Sequence, residues 1–224
     1  MTRRALILVG SPKPMERSAS AQLARLVTSR LEVGRWIVDW IHLAEALADD
    51  EATCGLLSAV DSSDVLLLTA PLYVDSLPAP VIRALERISA HRAASDGPPD
   101  TSFCTILNCG FVEPLQNGTA QRICRRFCSE AGFKWRGALS VGSAGQVTGR
   151  VKRLLRAAGD ALALGDRIPV AVERDLQRPI IPRWAYVVGG NAMWRRVAQR
   201  RFGVSRARLR ARPYDVDPER ADQS

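Results

Sequence analysis

The sequence predicts an α/β domain built on a doubly wound parallel sheet, and three observations support this fold class. Five short apolar runs alternate with five stretches of helical periodicity. Glycine, proline or other turn-forming residues bound most of these runs. The central runs are continuously apolar, which is typical of parallel strands buried on both faces. Because each crossover packs back on the sheet with the same hand, we expect helices on both faces.

The first two strands differ in character. Ala5–Val9 is uniformly apolar, and a polar loop separates it from a helix that begins at Ser18 and has regularly spaced leucines. The second strand, Arg35–Ile41, is interrupted by Asp39, which suits a position nearer an edge of the sheet. A short helix is predicted over Ala52–Val60.

The third strand, Asp64–Ala70, is strongly apolar and is predicted to be central. Pro71–Pro78 breaks it and leads into a helix over Ala79–His91. A surface loop, marked by the sequence Ala-Ser-Asp-Gly-Pro-Pro, is predicted over Arg92–Thr101. The fourth strand then follows at Phe103–Asn108.

The last helices and strand complete five strand–helix units. Asn117 is predicted to cap a helix that runs to Ala131. The fifth strand covers Trp135–Val141, and the helix Val151–Leu164 ends at Gly165, a typical stop signal.

Five units in about 165 residues favour the flavodoxin-like strand order 2-1-3-4-5, although the alternation also permits other Rossmann-like sheets. We therefore expect a first domain at 1–165 and a basic helical extension at 166–212 that packs on this domain or on a second subunit. Within the extension, Ile168–Val172 is predicted to be extended, and a helix begins near Pro179. Residues 213–224 are expected to form a flexible tail.

Composition excludes several classes of protein. No window approaches the ~20 apolar residues of a membrane-spanning helix, and the opening apolar run is too short for a signal peptide. We therefore expect a cytoplasmic protein without a membrane span. The five cysteines contain no Cys-x-x-Cys pair, so we expect free thiols and no metal site. Cys124 and Cys128, four residues apart on a predicted helix, are expected to pack in the core.

The net charge of +9 is unevenly distributed. Residues 1–149 are balanced, whereas residues 150–212 carry 16 basic and 4 acidic side chains. Such a segment suits nucleic acid, an anionic membrane or a phosphorylated ligand. We favour the simpler interpretation that arginine is the preferred surface cation here, and therefore do not expect a nucleic-acid partner.

The loop after the first strand has the features of a phosphate site. It precedes a helix whose first amides lack intrahelical partners and whose dipole favours an anion. The loop and helix start add hydroxyl groups and positive charge from Ser11, Lys13, Arg17, Ser18 and Ser20. Neither a P-loop nor a Gly-x-Gly-x-x-Gly motif is present, so the pattern alone is weak.

Two further loops, Pro71–Pro78 and Asn108–Pro114, are expected to open on the same rim of the sheet as the first. Their backbone groups suit the polar edge of a planar ring, and Leu72, Tyr73 and Phe111 suit its faces. A phosphate site beside a ring site is the combination that flavin mononucleotide (FMN) requires.

The three loops also carry a family resemblance. Gly10-Ser-Pro-Lys13 with Ser18-Ala-Ser20, Ala70-Pro-Leu-Tyr-Val-Asp-Ser-Leu-Pro-Ala79 and Asn108-Cys-Gly-Phe111 resemble the flavin-contacting segments of the flavodoxin-like NAD(P)H-dependent FMN reductase family. The resemblance covers roughly residues 4–165. It implies bound FMN, NAD(P)H as co-substrate, hydride transfer to a quinone or another small-molecule electron acceptor, and a homo-oligomer.

The same resemblance implies which residues contact the cofactor. The phosphate would be held by Ser11, Lys13, Ser18, Ala19 and Ser20. The ribityl chain and the ring edge would lie along Pro71, Leu72, Tyr73 and Val74. The other side of the ring would be closed by Cys109, Gly110 and Phe111. No catalytic side chain is expected, because the flavin supplies the chemistry. Glu16 departs from the pattern by placing negative charge near the expected phosphate.

Two alternatives remain open at this point. The first is a flavodoxin-like carrier that passes electrons between proteins, although such carriers are usually acidic and this chain is basic. The second is a cofactor-free binding or regulatory module that uses its arginine-rich C-terminal segment on nucleic acid or an anionic surface. Retention of FMN and its reduction by NADH or NADPH would discriminate among the three.

Overall fold

A computed structural model describes residues 2–95, 100–143 and 147–211. Its strands are β1 Arg4–Val9, β2 Ile37–His42, β3 Val65–Pro71, β4 Ser102–Asn108 and β5 Lys134–Val141. Its helices are α1 Ala19–Val33, α2 Asp50–Asp61, α3 Ala79–Ala93, α4 Gly118–Glu130, α5 Gly149–Leu164, α6 Val170–Leu176 and α7 Arg183–Phe202. The ten predicted elements of the five units are all present, with boundaries shifted by at most two residues.

The five strands form one parallel sheet in the order β2-β1-β3-β4-β5. This order confirms the flavodoxin-like sheet and excludes the other Rossmann-like arrangements. β2 lies at an edge, as predicted from Asp39, whose carboxylate pairs with Arg4 at 2.8 Å. The predicted start of β2 at Arg35 is wrong, because Arg35 has a φ of 62° and forms a turn instead of a strand.

Alternating side chains of the strands build a core on each face of the sheet. Ile7 and Val9 face α1 and α5, whereas Leu6 and Leu8 face α2, α3 and α4. The predicted placement of helices on both faces is therefore confirmed. Cys124 is completely buried in the second core and Cys128 nearly so, which confirms their assignment to packing.

The segment after α5 corrects one prediction. Ile168–Val172 is not extended. α6 begins after Pro169 and buries Val172 and Leu176, which lie one turn apart. A short, mostly apolar stretch also fits a strand, but proline at the helix start and this spacing favour a helix.

α6 covers the outer edge of β5. The amide of Ile168 donates to the carbonyl of Arg136 at 2.8 Å, and the carboxylate of Glu173 accepts from the amide of Ala138 at 2.7 Å. Backbone groups of an edge strand that would otherwise lack a protein partner are thus satisfied. The compact unit that contains the sheet extends to Ile180.

A second unit begins at Ile181 and contains α7. This helix was predicted near Pro179, and it starts directly after Pro182. None of its residues is buried, and the surface on which it packs stays a prediction. The expected tail at 213–224 lies outside the described residues.

Membrane-spanning helices and metal sites can be examined within the described residues. None of their helices is long and apolar enough to cross a membrane. The five cysteines are free thiols, and no cluster of His, Cys, Asp or Glu in the described ranges is arranged to hold a metal ion.

Candidate functional site

Three loops meet at the carboxyl ends of β1, β3 and β4, which are neighbours in the sheet. The amide of Gly10 donates to the carbonyl of Thr69, and the amide of Leu72 donates to the carbonyl of Asn108, both at 2.8 Å. The third loop is bound to the end of β5, because the amide of Cys109 donates to the carbonyl of Val141 at 3.1 Å. The strand order therefore brings together the loops that the sequence singled out.

Gly10 allows the first loop to pass close to α3. A Cβ atom at this position would lie 2.2 Å from Cγ2 of Val81 and 3.1 Å from Cβ of Ala70. Neither distance leaves room for a methyl group without displacement of a buried neighbour. A glycine is therefore needed here for close packing.

The start of α1 offers backbone donors. Ser18 is its N-cap: the Ser18 hydroxyl oxygen accepts from the amide of Ala21 at 3.2 Å, and its carbonyl accepts from that of Gln22. No hydrogen bond from the amides of Ala19 and Ser20 is found within the described residues. These two amides, at the positive end of the helix dipole, are suited to an anion.

The hydroxyl of Ser20 is engaged inside the protein. It donates to the side-chain oxygen of Asn108 at 2.7 Å, and the carbonyl of Ser20 accepts from the hydroxyl of Thr69 at 2.8 Å. All three residues are buried. Ser20 therefore offers an anion its backbone amide but not its hydroxyl proton. The roles of Thr69 and Asn108 were not predicted, although a polar residue at the end of an apolar strand was a usable signal.

The rest of the first loop is held from β2. The Ser11 hydroxyl accepts from the amide of Lys13 at 3.2 Å, while the Lys13 side chain is exposed. His42 supports this loop from below, with Nε2 at 2.6 Å from the Ser11 carbonyl and Nδ1 at 3.0 Å from the carboxylate of Glu45. This role of His42 was not predicted from the sequence. Glu16, the residue that departs from the family pattern, is exposed.

The second loop ends in a tight turn at Tyr73–Ser76. The two terminal residues exchange backbone hydrogen bonds of 2.9 and 3.0 Å. Both central residues have positive φ, 48° for Val74 and 57° for Asp75, which is the pattern of a type I′ turn. A β-branched residue is strained in this conformation. The Val74 side chain is nevertheless 100% exposed, and Tyr73 is 44% exposed.

The third loop turns its cysteine inward and its phenylalanine outward. Cys109 is buried, and its sulfur lies 3.9 Å from the carbonyl of Phe111 and 3.8 Å from that of Glu113. Burial raises the pKa of the Cys109 thiol. Phe111 is 50% exposed, and its carbonyl accepts from the amide of Ser143 at 2.6 Å.

The predicted cap at Asn117 is wrong in its chemistry. Its side chain makes no capping bond and donates to the carbonyl of Leu107 at 3.2 Å. Asn117 has helical backbone angles because a short 3₁₀ turn over Pro114–Asn117 runs directly into α4. The residue therefore fastens the third loop to β4.

The resulting rim has two chemically different parts. One part carries two amides of α1 and the exposed cation of Lys13. The other carries the exposed side chains of Tyr73, Val74 and Phe111. Such a surface suits a ligand that combines a phosphate with a planar, largely apolar ring.

Comparisons with known proteins agree with this fold. No protein-family model and no curated protein sequence matches the chain. Among solved structures, the flavodoxin, WrbA-like protein from Agrobacterium tumefaciens superposes with a TM-score of 0.56 at 12% identity, covering 73% of this chain and 97% of that one. An FMN-dependent NADH-azoreductase from Bacillus anthracis, in complex with FMN, gives 0.55 at 10% identity, covering 72% and 100%.

Two further structures come from different kinds of oxidoreductase. NAD(P)H:quinone oxidoreductase from Methanothermobacter marburgensis gives a TM-score of 0.53 at 16% identity, covering 72% of this chain and 96% of that one. Rubredoxin oxygen:oxidoreductase from Desulfovibrio gigas gives 0.53 at 14% identity, and the match covers 78% of this chain but 37% of that larger protein. At these identities the likeness concerns the fold, and the chain has the flavodoxin-like fold that the sequence resemblance implied.

Proposed function

We propose that this chain is an FMN-dependent oxidoreductase that passes hydride from NAD(P)H to a quinone or another small acceptor. The observation that carries the proposal is that two amides of α1 without an acceptor among the described residues lie on the same rim as the exposed aromatic side chains of Tyr73 and Phe111. Similar folds in an azoreductase complexed with FMN and in a quinone oxidoreductase support it.

In this proposal the phosphate lies at the start of α1. The amides of Ala19 and Ser20 donate to it, and the exposed ammonium of Lys13 supplies the opposite charge. Ser11 and Ser18 each accept one internal hydrogen bond and retain a hydroxyl proton that can be donated. Glu16 is exposed and leaves its carboxylate to solvent.

The ring lies between the second and third loops. Pro71, Leu72, Tyr73 and Val74 line one side, and the backbone of Cys109 and Gly110 with the Phe111 side chain lines the other. The exposed apolar surface of the two loop tips supports this placement, because burial against a planar ring removes it from water. The bond between the Leu72 amide and the Asn108 carbonyl fixes the spacing of the two loops.

Bound FMN would supply the redox chemistry, since an isoalloxazine ring accepts and donates hydride without a protein acid or base. The residues of the chain then bind, orient and shield the ring, and none is assigned a catalytic role. The Cys109 thiol takes no part, because it is buried against carbonyls of its own loop and its raised pKa keeps it protonated.

The test is the visible absorption spectrum of the full-length protein after incubation with excess FMN and removal of unbound flavin. Retained flavin bands that bleach under anaerobic NADH or NADPH, and return when a quinone is added, support the proposal. Retained bands that neither nucleotide bleaches contradict the hydride-transfer step and favour an electron carrier. Loss of all flavin contradicts the site itself.

A pair of variants locates the flavin. Tyr73→Ala removes an exposed aromatic side chain from the rim and should weaken FMN binding at least about tenfold, since stacking on a planar ring is lost. Phe202→Ala removes an exposed aromatic side chain from α7 and should leave the affinity unchanged. Equal affinities of the two variants would contradict a ring site at the second loop.

A further inference from the structure

The second unit contains a helix, α7, that begins at Arg183 and continues with a long uncharged stretch, which we call its uncharged half. Residues 184–194 of α7 include no acidic or basic side chain. Trp184 is 71% exposed and Trp194 is 66% exposed, and Val187, Val188 and Met193 are also exposed. A patch of this kind on the described surface is unusual for a protein that stays in water.

The second half of the helix and the segment that follows are strongly cationic. Residues 195–210 contain seven arginines, and no acidic residue occurs anywhere in 183–212. The arginines are Arg195, Arg196, Arg200, Arg201, Arg206, Arg208 and Arg210. No ion pair is found for any of them within the described residues. We call residues 183–210 the basic helix segment.

An anionic lipid bilayer satisfies both halves of this segment. Tryptophan is favoured at the boundary between headgroups and acyl chains, and arginine forms paired hydrogen bonds with phosphate. The uncharged half is only ~16 Å long at 1.5 Å per residue, about half of a bilayer's hydrocarbon core. We propose that the basic helix segment is a peripheral docking site for anionic membranes, with its uncharged half inserted at the interface.

Two other occupants explain less of the surface. A nucleic acid would neutralise the arginines but would leave the exposed valines and Met193 without a partner. A second copy of this chain would cover the apolar half but would bring two sets of unpaired arginines into one interface. The bilayer alone provides apolar and anionic layers side by side.

The first test is co-sedimentation of the full-length protein with vesicles of phosphatidylcholine alone or with one third phosphatidylglycerol. Binding to the anionic vesicles should exceed binding to neutral vesicles at least tenfold and should weaken as salt rises. Equal binding to both vesicles, or binding to neither, overturns the proposal. Tight binding to duplex DNA without vesicle binding overturns it in favour of nucleic acid.

Charge-matched variants test the location of the site. Neutralising Arg195, Arg196, Arg200 and Arg201 to Gln should lower vesicle affinity on the order of 100-fold, because each arginine contributes separately. Neutralising the exposed Arg83, Arg87, Arg153 and Arg156 of the first unit changes net charge equally and should lower it less than threefold. Equal losses in both variants overturn the assignment to the basic helix segment.

Tryptophan fluorescence tests insertion. Trp184 and Trp194 are exposed, whereas Trp36 is buried and Trp40 and Trp135 are half-buried. Anionic vesicles should shift emission to shorter wavelength, and brominated acyl chains should quench it; the double variant Trp184→Phe, Trp194→Phe should abolish both effects. Vesicle binding without any shift of the emission wavelength overturns insertion. A dimer whose emission is already at shorter wavelength before lipid is added overturns the proposal in favour of a second copy of this chain. Because the basic helix segment contains none of the residues assigned to FMN, failure of FMN binding leaves these outcomes interpretable.

Discussion

The bases and the tips of the three rim loops are built differently. At the bases, Gly10, Ser20, Thr69 and Asn108 are closely packed or joined by buried hydrogen bonds. At the tips, the side chains of Tyr73, Val74 and Phe111 are half to fully exposed, and Val74 has a strained backbone. The comparison indicates that the bases fix the loops, whereas the tips keep apolar surface free for a ligand.

The two parts should therefore respond differently to substitution. A change at a base should lower the free energy of unfolding, since it disturbs a buried contact. A change at a tip should alter ligand affinity and have little effect on stability, or even raise it where strain is relieved. Four predictions follow this difference from the largest effect to the smallest.

Gly10→Ala should lower the free energy of unfolding by about 3 kcal/mol, because the added methyl group overlaps Val81 in a packed core. Gly110→Ala is the matched control on the same rim, since no atom lies within 4 Å of its added Cβ, and its change should stay within about 0.5 kcal/mol. Urea unfolding of both variants measures the difference. Similar losses would contradict a tightly packed base.

Asn108→Ala should lower the free energy of unfolding by about 2 kcal/mol, because the buried hydroxyl of Ser20 loses its acceptor. The backbone bond from Leu72 is preserved, so the loops should keep their spacing. Asn191→Ala, at an exposed asparagine of α7, provides the control. If the two variants melt alike, the bond between α1 and β4 contributes nothing to stability.

Val74→Asn should raise the free energy of unfolding by about 1 kcal/mol, since asparagine tolerates a positive φ that strains valine. Under the proposed function it should also weaken FMN binding several-fold, because apolar surface at the tip is lost. Thermal unfolding and flavin titration measure the two effects. A destabilised variant would contradict strain at this turn.

The smallest expected effect concerns thiol chemistry and not stability. The raised pKa of Cys109 moves thiolate formation to higher pH, so at pH 8 its thiolate fraction is lower than that of an ordinary thiol. The exposed Cys54 should react with iodoacetamide at least about tenfold faster. Mass spectrometry of briefly labelled native protein resolves the two sites, and equal labelling would contradict the inward orientation of Cys109.

The strands of the sheet could be predicted because a short, continuous stretch of sequence specifies each one. Continuous apolar runs such as Val65–Ala70 specify buried parallel strands, and the turn residues between them specify where each strand ends. α6 could not be distinguished from a strand, since four of the five residues in Ile168–Val172 are apolar and both structures accommodate such a short run.

The site was predictable in position but not in detail. The strand order places the three loops at the carboxyl ends of neighbouring strands, and the periodicity of the sequence supports that order. The bond from Ser20 to Asn108 joins residues 88 positions apart, and no local pattern reports such a contact. The same holds for His42, which reaches the first loop from the neighbouring strand. The left-handed turn at Val74 was hidden because valine is among the residues least expected there.

The covering of β5 by α6 restricts how copies of this chain could associate. Sheets commonly aggregate or extend when an edge strand recruits another strand through its unpaired amides and carbonyls. At β5 the carboxylate of Glu173 accepts the hydrogen bond of the Ala138 amide. At the opposite edge of the sheet, Asp39 places a charge within β2. Both edges of the sheet are thus protected against strand addition, and we expect any self-association to use helix or loop surfaces instead.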